Sequence, residues 1–186
     1  MNWEPTWQQA LSYTAFLDAH AEQRHKDRWQ KVYDDLKLDD AHSALLATFK
    51  RKMHMLCVAG AWCGDCVLQG PILQKIAEVN PAVELRFVDR DKHGDAQDEL
   101  QINLGRRVPV VVFLAEDFHE VGRFGERTLS TYRKMASERL GPSCPTGIVP
   151  PGDEYIGAVT TDWMNEVERM QLLLRLSPRL RQKHGD

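Results

Sequence analysis

Apolar residues in the first fifty positions recur at the spacing of a helix. Trp3, Trp7 and Leu11 lie four residues apart, and a second apolar stripe begins at Trp29. Side chains three or four residues apart share one helix face. The pattern predicts a helical region over residues 1–50, whose aromatic side chains pack against the rest of the protein.

Beyond this region the pattern alternates between strands and helices. Four apolar stretches predict strands, the last of them at an edge: MHMLCVAG, AVELRFVDRD, VPVVVFLA and HEVGRF. Three amphipathic stretches predict helices: VLQGPILQKIAEV, GDAQDELQINL and TLSTYRKMASERL. The resulting order, β-α-β-α-β-β-α, predicts an α/β fold in which helices flank a central mixed β-sheet of about four strands.

The end of the chain has a different composition. Four prolines fall within residues 142–151, which predicts a linker without regular structure. A further helix is expected after it, capped by Thr160 or Thr161 and ending near Ser177, with residues 179–186 frayed. The predicted organisation has three parts: a helical N-terminal extension packed on the core (1–50), a central α/β domain (51–141), and a linker with a C-terminal helix (142–186).

Composition narrows the class of protein and its compartment. Hydrophobic residues make up 42% of the 186 residues and charged residues 27%, with a net charge of −3, so nothing indicates a nucleic-acid or membrane partner. The first residues have neither a basic nor an apolar signal region. The expected location is the cytoplasm, where thiols stay reduced and a CxxC pair is typical of a metal site or a redox centre.

The stretch WCGDC contains such a pair, Cys63 and Cys66, where a predicted strand passes into a helix. Thiol–disulfide exchange needs a thiolate, and a free cysteine is only about 3% ionised at pH 7. Unpaired N–H groups at a helix N-terminus stabilise the anion. Cys63 is therefore the predicted nucleophile, and Cys66, one turn deeper, the resolving thiol. Gly64 leaves room for a substrate backbone.

Several residues extend this motif in a fixed order. Trp62 precedes the cysteines, Pro71 follows Cys66 by five residues, Pro109 opens a later buried strand in RVPVVVF, and Gly125 follows the edge strand. Over residues 53–140 this set resembles thioredoxin. More narrowly, the helical N-terminal region and GRRVPVVVF are similar to a bacterial branch of thioredoxin-like proteins.

The resemblance implies a fold and an activity. It implies a thioredoxin-like fold and a thiol–disulfide oxidoreductase, specifically a protein-disulfide reductase that works through a mixed disulfide without a cofactor or metal. Its partners would be disulfide-containing proteins or small molecules, and a cellular dithiol reductant or a recycler like thioredoxin reductase.

The resemblance also assigns the substrate-binding surface. It implies that the peptide bond before Pro109 is cis, which would turn the backbone of Val108 toward an extended substrate strand beside Cys63. Trp62, Gly64 and Arg107 complete the expected surface.

Asp65 departs from the proline that thioredoxin carries at this place. A carboxylate about 6 Å from Cys63 opposes the thiolate by about 1–3 kcal/mol. We therefore expect the thiol pKa of Cys63 to stay near its ordinary value, which favours a reductase. Arg106 and Arg107 either offset this charge or are solvated loop residues, and Asp65 is either a pKa modulator and proton acceptor or only a helix-start residue.

The other two cysteines have less defined roles. Cys57 stands where thioredoxin has a buried aspartate, so the proton of Cys66 would pass to Asp65 or to water. Cys57 itself is either an apolar core residue or a third redox thiol. Cys144, in the predicted linker, is expected to be a free, dispensable thiol.

Two other functions compete with a redox enzyme. His54, Cys57, Cys63 and Cys66 could supply four zinc ligands, but residues 54 and 57 of a strand point to opposite faces. The second alternative is a non-catalytic interaction module, in which the flanking helices bind a partner.

Overall fold

The computed structural model describes residues 1–140 and 154–186. Its centre is a four-stranded mixed sheet in the order β2-β1-β3-β4. β1 is parallel to β2 and antiparallel to β3, and β3 is antiparallel to β4. The strands are β1 (Met53–Ala59), β2 (Val83–Asp89), β3 (Val110–Ala115) and β4 (Glu120–Gly125).

Helices precede, flank and follow this sheet. Before it lie α1 (Glu4–Gln9), α2 (Tyr13–His20), α3 (Gln23–Asp35) and α4 (Asp40–Ala47). Between and after the strands lie α5 (Gly64–Val79), α6 (Gly94–Glu99), α7 (Leu129–Leu140), α8 (Tyr155–Leu176) and α9 (Pro178–His184). The α/β class and the β-α-β-α-β-β-α order are confirmed.

The central strands read as continuous apolar runs because both faces of the sheet are covered. Every residue of β1 and of β3 is buried. β4 is the exposed edge strand, and α8 covers part of it: Phe124 meets the ring of Trp163 edge to face, with ring centres 4.9 Å apart.

The N-terminal helices complete the core, and α3 packs against α5. The indole of Trp29 is fully buried and lies on Gly70, where an added Cβ would come within 2.0 Å of it. Its ring nitrogen donates a hydrogen bond to the carbonyl of Ala61 at 2.9 Å. The region is not continuously helical, however, because Leu11 forms a β-bridge with Phe87 of β2.

Two expectations about the C-terminal part are wrong. α8 begins at Tyr155, and the hydroxyls of Thr160 and Thr161 bond to carbonyls one turn earlier inside the helix, so neither threonine is its cap. The last residues are also ordered rather than frayed.

The ordered end consists of α9, which buries Leu180, and an ion-pair cluster. The carboxylate of Asp186 contacts the guanidinium groups of Arg51 and Arg175, which holds its pKa at about 2. The predicted linker and Cys144 lie outside the described residues.

The contact between Trp29 and Gly70 gives a first prediction. Gly70→Ala forces a methyl group into a buried indole, so we expect the free energy of unfolding to fall by about 1–3 kcal/mol. Gly157→Ala, in a helix where the added Cβ has only ordinary contacts, is the control and should be neutral or stabilising by up to about 1 kcal/mol. Urea denaturation of both variants tests this. Equal stability of the two variants would contradict the tight packing of α3 on α5.

Candidate active site

Cys63 and Cys66 lie at the N-terminus of α5. Cys63 is the N-cap residue and is partly exposed, whereas Cys66 is fully buried one turn into the helix. The backbone N–H of Gly60 points at the Cys66 sulfur, 3.5 Å away. Both sulfurs are free thiols, so the structure represents the reduced form. Only Cys63 is placed to meet another molecule.

The two thiols have opposite pKa shifts. The Cys66 thiol donates a hydrogen bond to the Cys63 sulfur, and with the backbone N–H groups of Cys66 and Asp65 this lowers the pKa of Cys63 to about 6 against burial and the charge of Asp65. Burial, together with the bond to Cys63, raises the pKa of Cys66 well above its ordinary value. At neutral pH Cys63 is a thiolate and Cys66 holds its proton.

The expectation of an ordinary thiol at Cys63 is therefore wrong. The sign of the Asp65 effect is as expected, since its carboxylate does oppose ionisation of Cys63. It is outweighed because the Cys66 thiol and two backbone N–H groups all donate toward the same sulfur.

The loop before β3 closes one side of the site. The Cys63 sulfur lies 3.6 Å from the carbonyl oxygen of Val108, and the Val108–Pro109 peptide bond is cis, the isomer that the resemblance implies. Gly125 of β4 packs under this loop: a Cβ there would lie 2.5 Å from the carbonyl of Pro109. A glycine is needed at this position because two backbones approach each other.

Trp62 and Gly64 border Cys63 in the sequence and leave it accessible. The indole of Trp62 is 49% exposed, and the guanidinium of Arg90 lies 5.5 Å from its ring centre. Gly64 is exposed in the first turn of α5. Together with Val108 and Pro109, these two residues form the surface on which the sequence predicts that the substrate binds. Substrate binding at this surface stays a prediction.

Asp65 has an ion-pair partner that sequence analysis missed. Its carboxylate lies 2.7 Å from the guanidinium of Arg127, which also contacts Glu126 at 3.2 Å. Glu126 is almost buried, and its second oxygen accepts a hydrogen bond from the hydroxyl of Tyr132. Arg127 therefore engages the carboxylate of Asp65, whose role as a pKa modulator or proton acceptor stays a prediction.

Neither of the two arginines that could have offset Asp65 forms an ion pair with it. Arg106 pairs with Asp98, and Arg107 lies 3.9 Å from Glu126. The side chain of Arg107 is 51% exposed beside the loop of Val108. It is thus near the site but is not the partner of Asp65.

The residues named for a zinc site do not converge. His54 stacks on Phe118 at 4.9 Å between ring centres and also contacts Trp7. Cys57 is fully buried in β1, and burial raises its pKa far above the ordinary value. Within residues 1–140 and 154–186, no group of three or more histidine, cysteine or acidic side chains could hold a metal ion.

The N-terminal extension also contributes directly to the site. Trp29 holds the carbonyl of Ala61, two residues before Cys63. Arg28, next to it in α3, places its guanidinium beside the first turn of α5, 3.9 Å from where a Cβ of residue 64 would stand. Sequence analysis identified Trp29 only as a packing residue and missed Arg28.

Comparison with known sequences places this arrangement in a family. The sequence model described as thioredoxin matches residues 10–139, which include the helices α2 to α4 as well as the sheet. The chain belongs to the thioredoxin family. No curated protein matches it.

Solved structures share the fold over almost the whole chain. A protein of unknown function from Pseudomonas aeruginosa, PA1234, is 19% identical with a TM-score of 0.68, over 91% of this chain and 96% of that chain. An HIV epitope scaffold is 18% identical with a TM-score of 0.65, over 95% and 99% of the two chains. Both likenesses concern the fold alone, including its added helices.

Across the two described parts of the chain, no helix is both long enough and apolar enough to cross a bilayer.

The thiol pair yields a prediction about pH. In a reduced Cys144→Ser background, alkylation of Cys63 by iodoacetamide should reach half its maximal rate near pH 6, because only the thiolate reacts. Cys66→Ala removes the donor and should move this midpoint to higher pH, while Cys66→Ser, which keeps a hydroxyl donor, should move it less. A midpoint between pH 8 and 9 in the reduced parent, near the ordinary value of about 8.5, would contradict the assignment.

The ion pair between Asp65 and Arg127 gives a prediction about the pKa of Cys63. Arg127→Gln should raise the pKa of Cys63 by up to about one unit, because it removes a cation and unmasks Asp65. Asp65→Asn should lower it, and the double variant should lie near the parent. Arg123→Gln is the control: this guanidinium binds Glu99 and Glu120 instead of Asp65, so its removal should leave the pKa of Cys63 unchanged. The same alkylation profile measures all four, and no difference between Arg127→Gln and Arg123→Gln would refute the coupling.

Proposed function

We propose that this protein is a thiol–disulfide oxidoreductase that reduces disulfides through Cys63 and Cys66. One observation carries the proposal: an accessible thiol with a pKa of about 6 at a helix N-terminus, hydrogen-bonded by a buried partner thiol one turn away. Membership of the thioredoxin family supports it. The carbonyl of Val108, 3.6 Å from the Cys63 sulfur, offers an acceptor for the backbone of an extended substrate.

In the first step, the Cys63 thiolate attacks one sulfur of the substrate disulfide. A bond forms between Cys63 and that sulfur, and the substrate disulfide bond breaks. The other substrate sulfur leaves as a thiolate with the electron pair. The Cys66 thiol, which had stabilised the Cys63 anion, loses its hydrogen-bond acceptor once that sulfur is bonded.

In the second step, Cys66 attacks the Cys63 sulfur of the mixed disulfide. Its proton passes to water or to the departing substrate thiolate, since Asp65 is engaged by Arg127. The Cys63–Cys66 disulfide forms and the second substrate thiolate leaves, so the substrate gains two electrons and the protein loses two. Burial of Cys66 restricts it to this intramolecular attack.

The direction of exchange follows from the leaving-group strength of Cys63. A nucleophile pKa of about 6 is closer to that of thioredoxin, about 7, than to that of a strongly oxidising CxxC enzyme, about 3.5. A reductase therefore fits better than an oxidase. A dithiol reductant, either a small molecule or a recycling protein, would return the disulfide to two thiols.

The two cysteines should behave differently when replaced. Cys66→Ser should still attack a disulfide peptide but remain as a covalent complex, which added dithiothreitol releases. Cys63→Ser should give neither turnover nor complex, because the remaining thiol is buried and protonated. Intact-mass spectrometry after incubation with the peptide reads both results.

Controls separate this outcome from misfolding and from other thiols. Cys57→Ser tests the buried third thiol, and Cys144→Ser tests the thiol outside the described residues; both should keep turnover. Adducts on Cys66 rather than Cys63 would reverse the roles. Folded parent protein that forms no adduct and reduces no disulfide would instead favour a non-catalytic interaction module.

A further inference from the structure

Basic side chains lie close to the neighbours of the candidate nucleophile in a chain whose net charge is −3. The first is Arg28 of α3, whose guanidinium lies beside the exposed, side-chain-free Gly64 that follows Cys63. Arg28 is exposed and has no carboxylate within ion-pair distance among residues 1–140 and 154–186. Its guanidinium therefore has donors available to a molecule bound at Cys63.

The second basic residue is Arg107. It directly precedes Val108, whose carbonyl contacts the Cys63 sulfur, and its side chain is half exposed. Among the described residues, Glu126 is its one carboxylate within ion-pair distance, 3.9 Å away, and Glu126 lies closer to Arg127. A substrate strand lying along Val108 would thus pass beside the residue that carries this half-exposed guanidinium.

The carboxylates of this surface offset these two charges only in part. Asp65 and Glu126 both bind the single guanidinium of Arg127, at 2.7 and 3.2 Å. Asp98 binds Arg106. Arg90, beneath the ring of Trp62, adds a further cation that Asp91 only partly offsets at 3.3 Å. Four guanidinium groups, of Arg28, Arg90, Arg107 and Arg127, thus stand against three carboxylates, of Asp65, Glu126 and Asp91, which leaves one positive charge in excess in a chain that is acidic overall.

We propose that Arg28 and Arg107 recognise carboxylates on either side of the substrate cysteine, so that the preferred substrate is a disulfide within an acidic polypeptide segment. The inference rests on the proposed function. Arginine suits this task because its planar donor fork matches a carboxylate. Both residues act in binding, and the chemistry remains that of Cys63 and Cys66.

The test compares three disulfide peptides that differ only in the residues flanking the cysteine: glutamate, glutamine or lysine. At low salt the parent protein should have its highest kcat/KM with the glutamate peptide, a lower value with glutamine and the lowest with lysine. Each arginine should contribute about 2–5-fold to the ratio of kcat/KM between the glutamate and glutamine peptides. The preference should shrink as ionic strength rises, because exposed charges are screened.

The variants assign the preference to residues. In Arg28→Gln and in Arg107→Gln the glutamate-to-glutamine ratio of kcat/KM should fall about 2–5-fold, and in the double variant it should approach one. Lys31→Gln, also in α3 but bound to Asp35, is the matched control and should keep the parent ratio. Using a ratio within each variant separates recognition from any change in folding or in thiol reactivity.

The outcomes separate this inference from the proposed function. No turnover of any peptide would refute the proposed reductase. Turnover of all three peptides at equal kcat/KM, or a preference for lysine, would refute acidic recognition and leave the reductase intact. A glutamate preference that survives in the double variant would assign recognition to other residues and overturn the roles of Arg28 and Arg107.

Discussion

A single buried indole connects the N-terminal helices to the redox centre. Trp29 places its six-membered ring against Gly70 in the middle of α5 and donates its N–H to Ala61 in the loop that leads to Cys63. Close packing fixes the distance between α3 and α5, and the hydrogen bond fixes the position of the loop that leads to Cys63. In consequence α3 is a wall of the candidate active site, and the position of Arg28 beside Gly64 follows from that of its neighbour.

The electrostatics of the centre are decided by hydrogen bonds made directly to the sulfur rather than by the nearest formal charge. The carboxylate of Asp65 opposes the Cys63 thiolate through space, but the Cys66 thiol and two backbone N–H groups act on the sulfur directly. Arg127 further reduces what Asp65 can do by binding it at 2.7 Å. A carboxylate inside the CxxC motif is therefore compatible with a reactive thiolate.

Most of the fold could be predicted from the sequence, because its signals are local. The continuous apolar run of β1, the proline inside α5 and the spacing of Cys63 and Cys66 each specify a neighbourhood of a few residues. What could not be predicted depends on contacts between distant segments. Arg127 follows Asp65 by 62 positions, and no local pattern marks either as the partner of the other.

Errors at the C-terminal end have the same origin. Thr160 and Thr161 have the side chains of good helix caps, but α8 starts at Tyr155 and leaves their hydroxyls inside the helix. The last residues have a polar, charged composition that is typical of a frayed tail. They are ordered because Leu180 is buried and because Arg51, nearly buried itself, lies within reach of Asp186.

The side-chain amide of Gln69 has a consequence for transplanting this site into other proteins. Within α5, it accepts a hydrogen bond from the indole of Trp163 in α8 and donates one to the carbonyl of Glu126, both at 3.0 Å. The helix that carries the cysteines is thereby joined on one face to Trp29 and on another to Trp163. A graft of the sheet and its CxxC helix alone would expose both faces, so the smallest portable unit has to include the helices of both ends.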